Sequence, residues 1–143
     1  MRVTSPLKNP IHRGRRNQEM TQYRQDVLTQ TLIEGIIQVH QTLGPGFLES
    51  IYRKAMVIEL TKRQLTVETE QEIAIYYDGI EVGRHRLDLL VNNKVIVELK
   101  TVEQLSRAHY AQVRSYLKAT GKRVALLVNF AKEKADFRRV ERE

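Results

Sequence analysis

Between about Gln25 and Leu43 the apolar positions Val27, Leu28, Leu32, Ile36, Val39 and Leu43 recur at helical spacing, and "GPG" at 44 to 46 ends the pattern. A second helical stretch is predicted from about Phe47 to Arg63, with Leu48, Ile51, Tyr52, Ala55, Ile58 and Leu60 broadly on its inner side. The period then changes to two. "VETEQEIAIYY" (67 to 77), "EVGRHRLDLLV" (81 to 91) and "KVIVELKT" (94 to 101) read as three strands joined by "DG" and "NN" turns. A third helix follows from about Leu105 to Thr120, closed by Gly121. "RVALLVNF" (123 to 130) is almost wholly apolar, as expected of a strand covered on both faces. The last dozen residues are charged and read as a frayed helix.

The second and third strands carry Asp88, Glu98 and Lys100 where core strands ordinarily carry no charge. Their pairing register follows from the apolar pattern. An even loop sets Asp88 across from Val97 and Leu87 across from Glu98, so that both faces mix charge with core. A three-residue loop, Asn92 to Lys94, sets Leu87 against Leu99, Leu89 against Val97 and Val91 against Val95, leaving one face fully apolar. The other face then collects Arg86, Asp88, Leu90, Ile96, Glu98 and Lys100. In this register Asp88 and Glu98 oppose one another, which costs energy unless a cation intervenes. Diagonal salt bridges, Asp88 with Lys100 and Arg86 with Glu98, would give the same face an inert explanation.

Composition and charge narrow the setting. A chain of 143 residues, 41% hydrophobic and 29% charged, suits one domain with an ordinary core. No apolar run nears the roughly 18 residues that span a bilayer, so a cytoplasmic location without membrane contact is expected. Without cysteine, any metal site must use oxygen or imidazole ligands. Of the net charge of +7, residues 1 to 24 hold a surplus of five (Arg2, Lys8, Arg13, Arg15, Arg16 and Arg24 against Glu19). The expected organisation is therefore a basic, disordered arm over 1–24, a folded domain over 25–131 and a charged tail over 132–143. The arm could bind phosphate backbones; the alternatives are a solubilising tail or an Arg-rich transit sequence.

The chemistry open to these residues is that of a hard divalent cation, Mg2+ or Mn2+, which takes oxygen ligands and keeps several waters. Asp88 and Glu98 are the candidate ligand pair. Lys100 shares their face by strand alternation and is placed to orient or deprotonate a water, or to stabilise charge on a phosphate in the transition state. Gly46, Glu49 and Tyr52, spaced by three, share an edge of the second helix, and Glu49 in its first turn is a third candidate carboxylate kept ionised by the helix dipole. It could equally serve that dipole alone, with Tyr52 in the core. His109, Gln112 and Tyr116 share a face of the third helix, which an inert polar surface would also explain.

In order along the chain, "GFLESIY", "RLDLLV", "VIVELKT", "AQVRSYLKATG" and "LLVNF" resemble the GxxExxY proteins, a subgroup of the PD-(D/E)XK nuclease superfamily. Arg86-Leu87 stands where the superfamily motif has its proline, a position that supplies no ligand atom. The resemblance covers about residues 27 to 131. It implies a mixed α/β sheet with a restriction-endonuclease-like αβββαβ core and an extra N-terminal helix. It also implies magnesium-dependent cleavage of phosphodiester bonds in nucleic acid, DNA foremost, with Asp88, Glu98, Lys100 and Glu49 in the catalytic set. Gln112 and Tyr116 then flank the site, and Tyr52 and Arg86 complete the candidate substrate contacts. A catalytically silent nucleic-acid-binding or protein-interaction module on the same fold is the alternative, and homo-oligomerisation is left open.

Overall fold

The computed structural model describes residues 10–142, and the chain divides into two compact units, residues 1–32 and 33–143. Helix α1 (Pro10–Leu43) runs through both. It starts about fifteen residues before the apolar periodicity does, so the basic segment is helical from residue 10, and residues 1–9 of the expected arm lie outside the described residues. Pro10 occupies the first helical position, where its missing N–H costs no hydrogen bond. The Gln, Arg, Met and Glu residues that follow are all tolerated by a helix even without an apolar stripe.

In the second unit, the closing turns of α1 lead through Gly44, in the left-handed region at φ 69°, to α2 (Glu49–Lys62). Gly35 lets α2 approach closely, because a Cβ there would come within 2.9 Å of the Leu60 side chain. Strands β1 (Val67–Tyr77), β2 (Ile80–Val91) and β3 (Val95–Lys100) follow, then α3 (Arg107–Thr120), β4 (Val124–Asn129) and β5 (Asp136–Glu141). The five strands form one sheet in sequential order, antiparallel except for the parallel pair β3–β4. Helix α3, between two parallel neighbours, makes the crossover that such a pair requires. Its C-terminus closes on Gly121 at φ 73°, as expected of a left-handed cap.

Strands β3 and β4 are buried along almost their whole length. Leu90, Ile96, Ala125, Leu127 and Val140 cluster with Val113 and Leu117 of α3, whereas the alternating residues Leu89, Val97, Leu126 and Val128 are buried on the opposite face. The charged C-terminal segment departs from expectation. It is the strand β5, not a frayed helix, and Val140 tucks into the core opposite Ala125. Two apolar residues in "DFRRVE" suffice for an edge strand whose other side chains reach solvent.

Candidate active site

The β2–β3 connection is the three-residue loop that the apolar pattern requires. Val91 pairs with Val95, Leu90 with Ile96 and Leu89 with Val97, and both Asn92 (φ 52°) and Asn93 (φ 54°) adopt the left-handed conformation that asparagine tolerates best after glycine. The ladder stops at Leu89 and Val97. One residue further, the Asp88 carboxylate accepts the Leu99 backbone N–H at 2.9 Å, taking the place of a strand partner. The hairpin is parted at its open end by a carboxylate. Across β2's other edge the pattern is also broken: Thr69 pairs with Leu89 and Gln71 with Leu87, but Glu70 between them has φ 50° and pairs with no residue in the ladder.

Around Asp88 the structure gathers groups from four elements. Glu98 and Lys100 come from β3, Glu49 and Arg53 from α2, Glu70 from β1, and Gln112 and Tyr116 from α3. Glu98 is only 5% exposed, and its Oε1 is buried without a hydrogen-bond partner. Burial and the neighbouring Asp88 push its pKa up to about 8, although Lys100 and an Asp88 backbone hydrogen bond oppose the rise. Burial and the nearby carboxylate thus both favour the protonated form of Glu98. Burial likewise raises Asp88, against the Leu99 N–H and Arg53. Glu49 is raised by burial and then by Asp88, with Lys100 and Arg53 opposing.

Lys100 donates to Gln112 Oε1 at 3.0 Å, while its Nζ lies 3.8 Å from Glu98 Oε2. Gln112 therefore steadies the lysine from α3. Tyr116 is 3% exposed, meets His85 edge to face at 4.9 Å, and has its phenol pushed up to about 12 by burial and by Glu98 and Asp88. The diagonal salt bridges of the inert reading are not the pairs that form. Asp88 Oδ1 instead pairs with Arg53 at 3.6 Å, and Arg86 with Glu70 at 3.9 Å.

Two candidates find other work. Tyr52 has no exposed surface: its hydroxyl donates to the Gly44 carbonyl and accepts the Phe47 N–H, and its ring stacks on Phe130 with centroids 4.4 Å apart. Such a buried, fully used side chain has nothing left for substrate; it ties the "GPG" loop to the helix that presents Glu49. His109 accepts the Ser106 N–H at Nδ1, 2.9 Å away, and closes a capping box on α3. Arg86 is exposed and pairs with Glu70.

Arg53 was not among the sequence candidates. The signal for it was available, since Arg53 follows Glu49 by four residues and shares its helix edge. Asn129 also stands outside the sequence candidates. Fully buried, it accepts the Val102 and Ala131 N–H groups and donates to the Val102 carbonyl, fixing the chain that leaves Lys100. Glu70 was hidden by its setting, one carboxylate in a strand studded with them.

Among the described residues, no group of three or more His, Asp or Glu side chains stands arranged to hold a metal ion. The donor chemistry nevertheless suits a hard cation. Asp88 and Glu98 offer oxygens from facing strands, one of them buried and unpartnered, and desolvation disfavours their charged forms until a cation arrives.

No curated protein matches the sequence significantly. Among solved structures, the protein SSO0001 superposes with a TM-score of 0.53 at 19% identity, over 65% of this chain and 49% of its own. An alkaline exonuclease (LHK-Exo) from Laribacter hongkongensis does so with a TM-score of 0.50 at 14% identity, over 66% and 56%. The chain spans about half the length of these two proteins, and the likeness is one of fold. A sequence model of the PD-(D/E)XK nuclease superfamily matches residues 26–140, from the first helix to the last strand. Its reach across all five strands of the sheet makes the assignment plain: the chain belongs to the PD-(D/E)XK nuclease superfamily.

Proposed function

We propose that the protein is a divalent-metal-dependent phosphodiesterase of the GxxExxY subgroup that cleaves nucleic acid, with DNA as the first substrate to test. The observation that carries this reading is the convergence of Asp88, Glu98 and Lys100 at the opened end of the β2–β3 hairpin, with a Glu98 oxygen buried and unpartnered. A stable fold has no use for such an oxygen, whose desolvation costs about 1–3 kcal/mol or more when left unmade.

Asp88 and Glu98 are the residues that would hold Mg2+ or Mn2+, with Glu49 within electrostatic reach of both. Bound there, the ion would polarise a phosphodiester and make hydroxide available near neutral pH. The chain's own part is positional. Lys100, held by Gln112, orients the attacking water or neutralises charge developing on the phosphate. Tyr116, with its phenol kept protonated, borders the carboxylates from α3.

Incubation with single-stranded, duplex and branched DNA, with and without Mg2+ or Mn2+, tests the reading directly, with Asp88→Asn as control. Metal-dependent cleavage that falls at least about 10²-fold in the variant, roughly 2.7 kcal/mol of barrier, is the expected result. DNA retention in a gel without metal, with no cleavage under any condition, would favour the catalytically silent binding module instead.

A further inference from the structure

Arg53 sits between two carboxylates, 3.6 Å from Asp88 Oδ1 and 3.7 Å from Glu70 Oε1, with its side chain 19% exposed. Neither distance is that of a tight bidentate pair, so the guanidinium is shared and not committed. Glu70 reaches this position because its backbone leaves the β1–β2 ladder at φ 50°, at the register position facing Asp88. A non-glycine residue in that region carries a conformational cost, which ordinary strand residues avoid. The same guanidinium also acts on Glu49, four residues earlier on α2. The carboxylates of the site are therefore not gathered around empty space; a resident cation is interposed, and no three of them are arranged to hold a metal as they stand.

We infer that Arg53 is the site's internal counter-cation, released from Asp88 onto Glu70 when a divalent ion takes the Asp88 carboxylate. The inference rests on the metal reading above. Arg53 and Glu70 are then positioning residues: Arg53 competes with the metal for Asp88, and Glu70 lowers the cost of its departure by offering a second carboxylate without a long swing. The guanidinium stays beside the site, where a phosphate can replace Asp88 as its partner.

Calcium, followed by titration calorimetry without DNA, is the probe. Arg53→Gln should bind Ca2+ about tenfold more tightly than the wild type, and Glu70→Gln about tenfold more weakly, each corresponding to roughly 1.4 kcal/mol. Simple through-space electrostatics predicts those signs too, so the double variant decides. If Glu70 acts through Arg53, Glu70→Gln changes Ca2+ affinity less than about twofold in the Arg53→Gln background, a coupling that a double-mutant cycle reads directly. Arg53→Lys, which keeps the charge, should remain within about threefold of wild type and guards against a folding defect in Arg53→Gln. Additive effects in the double variant, or unchanged affinity in both single variants, would overturn the counter-cation role and leave the metal site standing. A wild-type protein that binds no Ca2+ and no Mn2+ would overturn both.

Discussion

At the scale of single residues, the site is governed by what burial does to opposed carboxylates. Glu98 has an ordinary value of 4.5 when the chain is unfolded and about 8 in the fold. Between those values the folded state holds a proton that the unfolded state does not, so stability falls as pH rises through the window and levels off above it. The wild type should lose stability progressively from about pH 5 to pH 8, while Glu98→Gln, which cannot ionise, should show a flatter profile and exceed the wild type at pH 7. Urea denaturation at intervals across that range measures it, and parallel profiles would remove Glu98 as the titrating group. The hairpin's other members should separate by role. Asp88→Asn should weaken calcium binding, whereas Lys100→Ala should retain or strengthen it, because the lysine competes for Glu98 at 3.8 Å, yet both should abolish cleavage. Destabilisation in both variants with no change in calcium affinity would leave Asp88 and Lys100 a structural part alone.

At the scale of elements, the function depends on how α2 is aimed. Tyr52 anchors the Gly44–Phe47 segment through two hydrogen bonds and stacks on Phe130 at the end of β4, so the turn that presents Glu49 is tied to the sheet. Tyr52→Phe keeps the stack and removes both bonds. It should cost about 1–3 kcal/mol, because the Phe47 N–H and the Gly44 carbonyl lose their partner, and should lower cleavage through a loosened Glu49. Denaturant midpoint and turnover checked together decide it; a loss of stability with full turnover would free Glu49 from any role in the site. The elements themselves were largely legible. The "DG" turn and the odd 92–94 loop follow from apolar register, which changes face with every one-residue slip. The expected Leu87–Leu99 pair, however, does not form: the ladder ends at Leu89, and Leu87 packs with Leu90 and Ile96 instead of on the Leu89 face. What the pattern could not convey was where regularity is broken. Nothing in "VETEQEI" marks Glu70 as the residue that leaves the ladder, and its ion-pair partner Arg53 lies on another element. Tyr52 misled in the opposite direction: its motif spacing with Glu49 suggested a shared task, and the shared task is presentation of the loop. The strand β5 was masked by charge, since an edge strand needs only one inward residue in each pair.

At the scale of the whole molecule, charge is distributed unequally, and this bears on how a nucleic acid would be held. The net charge is +7, yet the groups around Asp88 include the carboxylates Glu49, Glu70 and Glu98, a setting that repels a polyanion until cations compensate. Most of the positive surplus lies in the first 24 residues, helical from Pro10 onward. Among the described residues no helix is long and apolar enough to cross a membrane. We propose that the segment supplies phosphate contacts that the acidic site does not. Each phosphate neutralised by a lysine or arginine releases counterions, so log affinity falls against log salt with a slope of about 0.9 per contact on duplex DNA. Removing residues 1–24 should therefore weaken DNA binding at low salt and flatten that slope by about three to five contacts' worth, while cleavage at saturating DNA persists because the hairpin is untouched. Affinity measured between about 50 and 200 mM salt, with calcium in place of magnesium to hold the substrate intact, separates the two effects. An unchanged slope would leave the segment without a part in binding; a flattened slope with lost turnover would place it in the reaction itself.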